Sequence, residues 1–230
     1  MSDDHTRAAA DAPILRADGL VKYYADGHVQ ALRGVSLTIN ASESVAITGP
    51  SGCGKSTLLH ILGGLDRPTQ GEVYFREKPI KQLDIDDFRA HQVGFVFQSF
   101  YLMPTLTALE NIQIPMFEGP WSARERVQRA TRLIEEVGLT DRRNHRPGQL
   151  SVGQRQRIAI ARSLANDPSI VLADEPTGNL DSKSQDEIIQ LLHRLRNERQ
   201  LTLLIVTHSH EVAQAADRRI PMKDGQIQPG

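Results

Sequence analysis

SVAITGPSGCGKSTLLHIL, residues 44–62, sets a short apolar run, a glycine-rich turn and an apolar helical pattern end to end. Within it GPSGCGKST (49–57) matches G-x-x-x-x-G-K-[ST] in the one setting that gives the pattern chemical meaning, a strand before it and a helix after. Glycines let successive backbone N–H groups curl round a phosphate, Lys55 neutralises β- and γ-phosphates, and Ser56 can ligate Mg²⁺. Gly49, Pro50, Ser51, Gly52, Cys53, Gly54, Lys55, Ser56 and Thr57 are therefore a candidate phosphate cradle. The competing reading, a glycine-rich turn that fits by chance, does not account for the flanking strand and helix. Cys53 lies inside the loop, where its backbone N–H counts for more than its thiol.

Working outward, the segment before the loop alternates apolar and polar residues, with Val35, Leu37 and Ile39 set against Ser36 and Thr38, which predicts half-buried antiparallel strands. VGFVFQ (93–98) reads as another strand. From there to about residue 150 the texture turns helical, with starts marked by the capping-box spacings Thr107…Glu110 and Ser122…Glu125. The second of these helices shows an apolar stripe at Leu133, Ile134 and Val137 and stops at Gly138. SIVLAD and LTLLIVTH are continuous apolar runs, the mark of parallel strands buried on both faces. Between them lies a helix with Ile188, Leu191, Leu192 and Leu195 on one side. RIPMKDGQIQ predicts a hairpin about Asp224-Gly225. Strands alternating with helices predict an α/β fold, a mostly parallel sheet preceded by an antiparallel β subdomain and interrupted by a helical insertion.

The bulk numbers narrow the function. The 230 residues carry 27 Lys+Arg against 28 Asp+Glu, a formal net charge of −1, so no basic field draws the chain to nucleic acid or an acidic membrane surface. A single cysteine excludes a disulfide framework and a cysteine-based metal cluster, and fits a reducing compartment. No apolar run approaches the ~20 residues that span a bilayer; a membrane role would need a partner. Residues 1–12, MSDDHTRAAADA, carry early acids and no apolar core, and are expected to be a disordered tail rather than a secretory signal.

Further residues converge on the same chemistry. In SIVLADEP (169–176), Asp174 and Glu175 stand at the carboxyl edge of a strand, where open α/β sheets bind ligands. Asp174 would hold Mg²⁺ and Glu175 would accept a proton from an attacking water. Gln98, ending the VGFVF strand, could reach the metal or that water, and His208 ends the LLIVT strand in a parallel role. Tyr24 could stack on a base. Each of these three is ordinary alone and gains weight only as part of the set. LSVGQ (150–154) reads as a helix start, Ser151 the N-cap and Gln154 the third residue of a capping box, and equally as a phosphate holder at the positive end of that helix.

Together these motifs resemble the nucleotide-binding subunits of ABC transporters, from about residue 14 to near the end of the chain. The resemblance implies that residues 13–230 form one ATPase domain, a RecA-like P-loop NTPase core at 13–98 and 151–230 with a helical subdomain at 99–150. It identifies GPSGCGKST as Walker A, Gln98 as the Q-loop residue, LSVGQ as the signature, IVLADE as Walker B with Glu175 as base, GNLD (178–181) as the D-loop and His208 as the switch histidine. Tyr24 becomes the adenine-stacking aromatic. Catalysis would rest on Glu175, His208, Lys55 and Gln98, and Mg²⁺ on Ser56, Gln98 and Asp174. Ser151, Gly153, Gln154 and Asp181 would reach the ATP of the partner subunit, sandwiching two ATPs in a head-to-tail homodimer.

LGGLDRPTQGEV, FVFQSFYLMPTLTALENI and LADEPTGNLDS further resemble the lipoprotein-releasing, macrolide-export and cell-division branch (LolD, MacB and FtsE). This implies a cytoplasmic subunit, peripheral on the inner face of the cell membrane, energising a separate permease docked near Gln98–Leu106. The same fold could instead drive transmembrane signalling to cell-wall enzymes. Two departures stand out. Val152 replaces the family's usual glycine and is expected at the first helical position with negative φ, because a β-branched residue is disfavoured at positive φ. Ser209 stands where an Asp commonly follows the switch histidine.

Overall fold

The computed structural model describes residues 13–24 and 28–229, so the expected tail at 1–12 lies outside the described residues. Contacts divide the chain into two compact units, Met1–Arg89 with Gln200–Gly230, and Ala90–Arg199.

The first unit opens with two twelve-residue strands, β1 (Pro13–Tyr24) and β2 (Val29–Asn40), paired antiparallel. The period-2 reading holds where it is cleanest, since Val35, Leu37 and Ile39 are buried while Ser36 is exposed. β3 (Ser44–Thr48) follows, buried through Ile47, and leads through the glycine-rich turn into α1 (Lys55–Leu62). β4 (Gln70–Phe75) and β5 (Lys78–Pro79) complete a four-stranded sheet in the order β2-β1-β4-β5. α2 (Ile85–His91) is short and held by Phe88, which meets Phe75 edge to face at 5.2 Å.

The second unit carries the helical block. β6 (Val93–Phe97) precedes α3 (Ala108–Gln113) and α4 (Ala123–Glu136), whose capping boxes at Thr107–Glu110 and Ser122–Glu125 are both complete. α4 buries Ala130, Leu133 and Ile134 and ends where Gly138 turns left-handed (φ +72°), with Leu139 N–H donating to Ile134 O. α5 (Val152–Ser163) is capped by Ser151. β7 (Ile170–Asp174), buried through Ala173, pairs parallel with β6. α6 (Ser182–Arg199) buries Ile188, Leu191, Leu192 and Leu195, the apolar side expected from their spacing.

The chain then returns to the first unit. β8 (Thr202–Thr207) is buried at every position and pairs parallel with β3. α7 (His210–Gln214) leads to β9 (Arg218–Lys223), parallel to β3 on its other side. β10 (Gln226–Ile227) closes an antiparallel hairpin on β9, and Asp224 and Gly225 both take positive φ (+48° and +78°), the two-residue turn whose twist suits a hairpin. The fold is mixed α/β, with an antiparallel N-terminal sheet and parallel strands. No helix among the described residues is long and apolar enough to cross a membrane.

Candidate active site

In the first unit the phosphate loop runs from the end of β3 into α1. Two of its glycines are required by close approach as well as by backbone angle. A Cβ on Gly49 would lie 2.1 Å from Met222 O, and one on Gly54, at φ +102°, would lie 2.4 Å from Ala31 O. β9 and β2 thus press against the loop backbone, leaving no room for side chains. The β9–β10 turn clips the loop from outside. Gly225 N–H donates to Cys53 O at 3.0 Å, and Gly225 O accepts from Arg33 N–H at 2.9 Å. Cys53 is buried, and its own N–H turns inward to Pro50 O.

Lys55 is 6% exposed. Its ammonium donates to Gly49 O (2.8 Å) and Pro50 O (3.0 Å), two carbonyls of the loop itself. Neither partner is charged, and no ion pair to Lys55 exists among the described residues. A buried charge without a counter-charge is unfavourable unless an anion answers it. The loop is therefore suited to a polyphosphate. Ser56, exposed on the first turn of α1, adds a hard oxygen donor of the kind Mg²⁺ prefers.

Tyr24 ends β1, with its hydroxyl donating to Asp66 Oδ2 (3.0 Å) and lying 3.4 Å from Thr57 Oγ1 on α1. His208 is exposed just beyond β8. After it, Ser209 caps α7, its hydroxyl accepting from Val212 N–H, and its own N–H donates to Thr207 Oγ1. Serine does there the capping work for which aspartate is also suited, which accounts for that departure. Asp66 is desolvated, which raises its pKa. Hydrogen bonds from Lys22, Arg67 N–H and Tyr24 outweigh that and hold it below the ordinary carboxylate value.

In the second unit Asp174 is the last residue of β7 and Glu175 turns out of the strand in a left-handed conformation, φ +46°. A non-glycine residue held there is strained, a condition that collects at functional sites. Gln98 leaves β6 against the segment Gly178–Asn179. Its Nε2 donates to Asn179 Oδ1 (3.4 Å), Asn179 Nδ2 donates back to Gln98 O (3.0 Å), and a Cβ on Gly178 would lie 2.7 Å from Gln98 Nε2. Asp181 caps α6, accepting from Ser184 N–H at 2.9 Å. That N–H and the Ser184 hydroxyl keep its carboxyl below the usual range.

The signature adjoins this cap. Ser151 Oγ accepts from Gln154 N–H (3.2 Å) and Gln154 Oε1 accepts from Ser151 N–H (3.0 Å). Val152 is the first residue of α5 and is not among the residues at positive φ, as its β-branching demands. Gly153 lies against Ser184, whose Oγ would be 3.5 Å from a Cβ there. Sequence reasoning missed Asn179, Asp66, Lys22 and Arg162. Arg162, largely buried on α5, donates to the carbonyls of Phe100 and Tyr101 at 2.6 Å each, and those two residues are themselves left-handed. Asn179 lies inside GNLD without a role of its own assigned there, and no local pattern marks Asp66, Lys22 or Arg162, whose hydrogen-bond partners are distant in sequence.

A family model described as ABC transporter matches residues 32–178, which contain both the phosphate loop and the signature. The chain belongs to the ABC transporter family. It is an ATP-binding subunit with ATPase activity. An ABC transporter ATP-binding protein of Thermotoga maritima, itself without an assigned function, is 51% identical over 203 residues, 87% of this chain and 86% of that one. The lipoprotein-releasing system ATP-binding protein LolD of Syntrophotalea carbinolica is 46% identical over 221 residues, 94% and 97% of the two chains. Among solved structures, the dimeric post-hydrolysis state of the ATP-binding cassette MJ0796 bound to ADP and Pi superposes with a TM-score of 0.85 at 45% identity, covering 94% of this chain and 97% of that one. CbiO1 of Clostridium perfringens, part of the ABC transporter complex CbiONQ, superposes with a TM-score of 0.86 at 29% identity, covering 95% and 88%. These relatives are transporter cassettes, and none favours the signalling alternative.

Proposed function

We propose that this ABC subunit binds and hydrolyses MgATP as a head-to-tail homodimer and thereby drives a separate membrane permease, for export or for lipoprotein or lipid release. The observation that carries the ATP reading is Lys55, a buried ammonium answered only by carbonyls of its own loop. Lys55 and the loop amides clamp the phosphates, Tyr24 stacks on adenine, Glu175 accepts a proton from the attacking water, and His208 stabilises charge developing on the γ-phosphate. Mg²⁺, held through Ser56, Asp174 and Gln98, would supply neutralisation of phosphate charge. Ser151, Gly153, Gln154 and Asp181 act on the nucleotide of the partner subunit; the dimeric MJ0796 cassette supports that assembly.

The permease reading rests on the segment after Gln98. Tyr101 is 65% and Met103 50% exposed. Arg162 grips the carbonyls of Phe100 and Tyr101, holding an apolar surface in a defined shape. In this proposal the permease docks on this surface and the subunit is peripheral on the cytoplasmic face of the membrane. The 46% identity to a LolD protein supports a lipoprotein or lipid cargo.

Glu175→Gln removes the base while leaving the phosphate loop intact. The variant is expected to bind ATP, to lose turnover by about 10² or more, and to run as an ATP-dependent dimer on gel filtration. A variant that binds ATP and stays monomeric overturns the sandwich, and one that keeps its turnover overturns Glu175 as base.

A further inference from the structure

The Tyr24 ring is held from two sides by residues the proposed mechanism does not use. Its hydroxyl donates to Asp66 Oδ2 at 3.0 Å. The other carboxylate oxygen of Asp66 accepts from Lys22 Nζ at 2.6 Å and from Arg67 N–H at 2.7 Å. Lys22 also donates to Arg67 O at 2.7 Å, and its ammonium lies over the Tyr24 ring, 4.9 Å from the centroid. Lys22 and Asp66 are well shielded, with side-chain exposures of 12% and 29%, whereas Tyr24 itself is 38% exposed. The hydroxyl also lies 3.4 Å from Thr57 Oγ1, two residues beyond Lys55.

We propose that Asp66 is a positioning residue for the nucleobase. It pins the Tyr24 hydroxyl and at the same time anchors Lys22 over one face of the ring. One face is thus occupied by a cation, which the ring quadrupole attracts, and the opposite face is the one offered to a base. The contact with Thr57 sets that face at a fixed reach from the phosphate loop, so the site measures a base and a phosphate chain together. An unpinned tyrosine would have to be ordered at each binding event, which lowers affinity by roughly three- to tenfold. The inference rests on the reading of Tyr24 as the adenine platform.

The test compares ATP with inorganic tripolyphosphate, which shares the phosphate loop and lacks the base. Titration calorimetry is run on the wild type, Asp66→Ala, Tyr24→Phe, the double variant and Tyr24→Ala. Tyr24→Phe keeps the Lys22–Asp66 pair and so guards against a folding defect. Asp66→Ala and Tyr24→Phe are each expected to weaken ATP binding roughly three- to tenfold and to leave tripolyphosphate unchanged. The double variant should be no weaker than the worse single, because both changes break the same bond. In steady-state assays the loss for Asp66→Ala falls on KM. If Asp66→Ala weakens ATP and tripolyphosphate alike, its role is structural and the inference fails. If Tyr24→Ala weakens ATP but Asp66→Ala does not, the platform stands and the positioning role is wrong. If Tyr24→Ala leaves ATP binding intact, the platform reading itself falls.

Discussion

Lys55 is buried with two carbonyls for company, and carbonyl dipoles compensate a desolvated ammonium only in part. On the proposed function its charge serves the ligand at the expense of the fold. Lys55→Met, of similar length and uncharged, is expected to abolish ATP binding while raising the stability of the nucleotide-free protein by on the order of 1 kcal/mol. Urea unfolding with and without ATP checks both halves; a destabilised variant would mean that the two carbonyl bonds matter more than the buried charge. Glu175 shows a related trade. Its φ of +46° is unfavourable for a residue with a Cβ, and it is fixed by the turn that follows, where Gly178 N–H donates to Glu175 O at 3.0 Å. At this scale the candidate residues were legible as candidates, because Lys55, Asp174, Glu175 and His208 stand at strand ends or in a loop whose spacing has a chemical reason. Asp66 was not, because an aspartate in a turn has no distinguishing neighbour until the chain folds Tyr24, 42 positions away, onto it.

Three helix starts in this protein are written locally and form as written. Thr107, Ser122 and Ser151 each accept from the N–H three residues on, and the Glu or Gln at that position bonds back to the cap. α4 depends on this more than most, since it buries only Ala130, Leu133 and Ile134 over fourteen residues. Ser122→Ala should therefore destabilise the fold by about 1 kcal/mol, read as a lower urea midpoint at unchanged m-value. No loss would mean that tertiary packing alone holds the start of α4. The cap at Ser151 has a second consequence. It engages Gln154 N–H within the capping box and so fixes Val152 as the first helical residue, where it does not take a positive φ. β4, β5 and α2 are the elements that pattern reading did not find. β4 is six residues long and includes Gly71, whose Cβ would lie 2.5 Å from Asp18 O, so the strand is defined by its fit to β1 more than by alternation. α2 has one buried residue, Phe88, too little for a helical period.

For the whole molecule, the proposed permease surface makes the sharpest demand. Tyr101 and Met103 are exposed, so charged substitutions there should spare the fold. Tyr101→Glu and Met103→Glu are expected to abolish co-purification with membrane protein from native membranes while leaving the thermal midpoint within a few degrees of wild type, the scale of a sub-kcal/mol change. Retained capture would remove this segment from the interface. The sequence by itself determined the class of fold, the order of the motifs, the starts of the capped helices and a loop of residue types suited to phosphate, because these are set by periodicity, capping and loop chemistry within a few residues of each other. Only the tertiary structure decided the pairing of Gln98 with Asn179 across 81 positions, the grip of Arg162 on Phe100 across 62, and the pinning of Tyr24 by Asp66. Those contacts join residues whose local sequence is indifferent to the partner; they arise from backbone geometry, left-handed carbonyls and packed strand ends, that exists only once the strands and helices are in place.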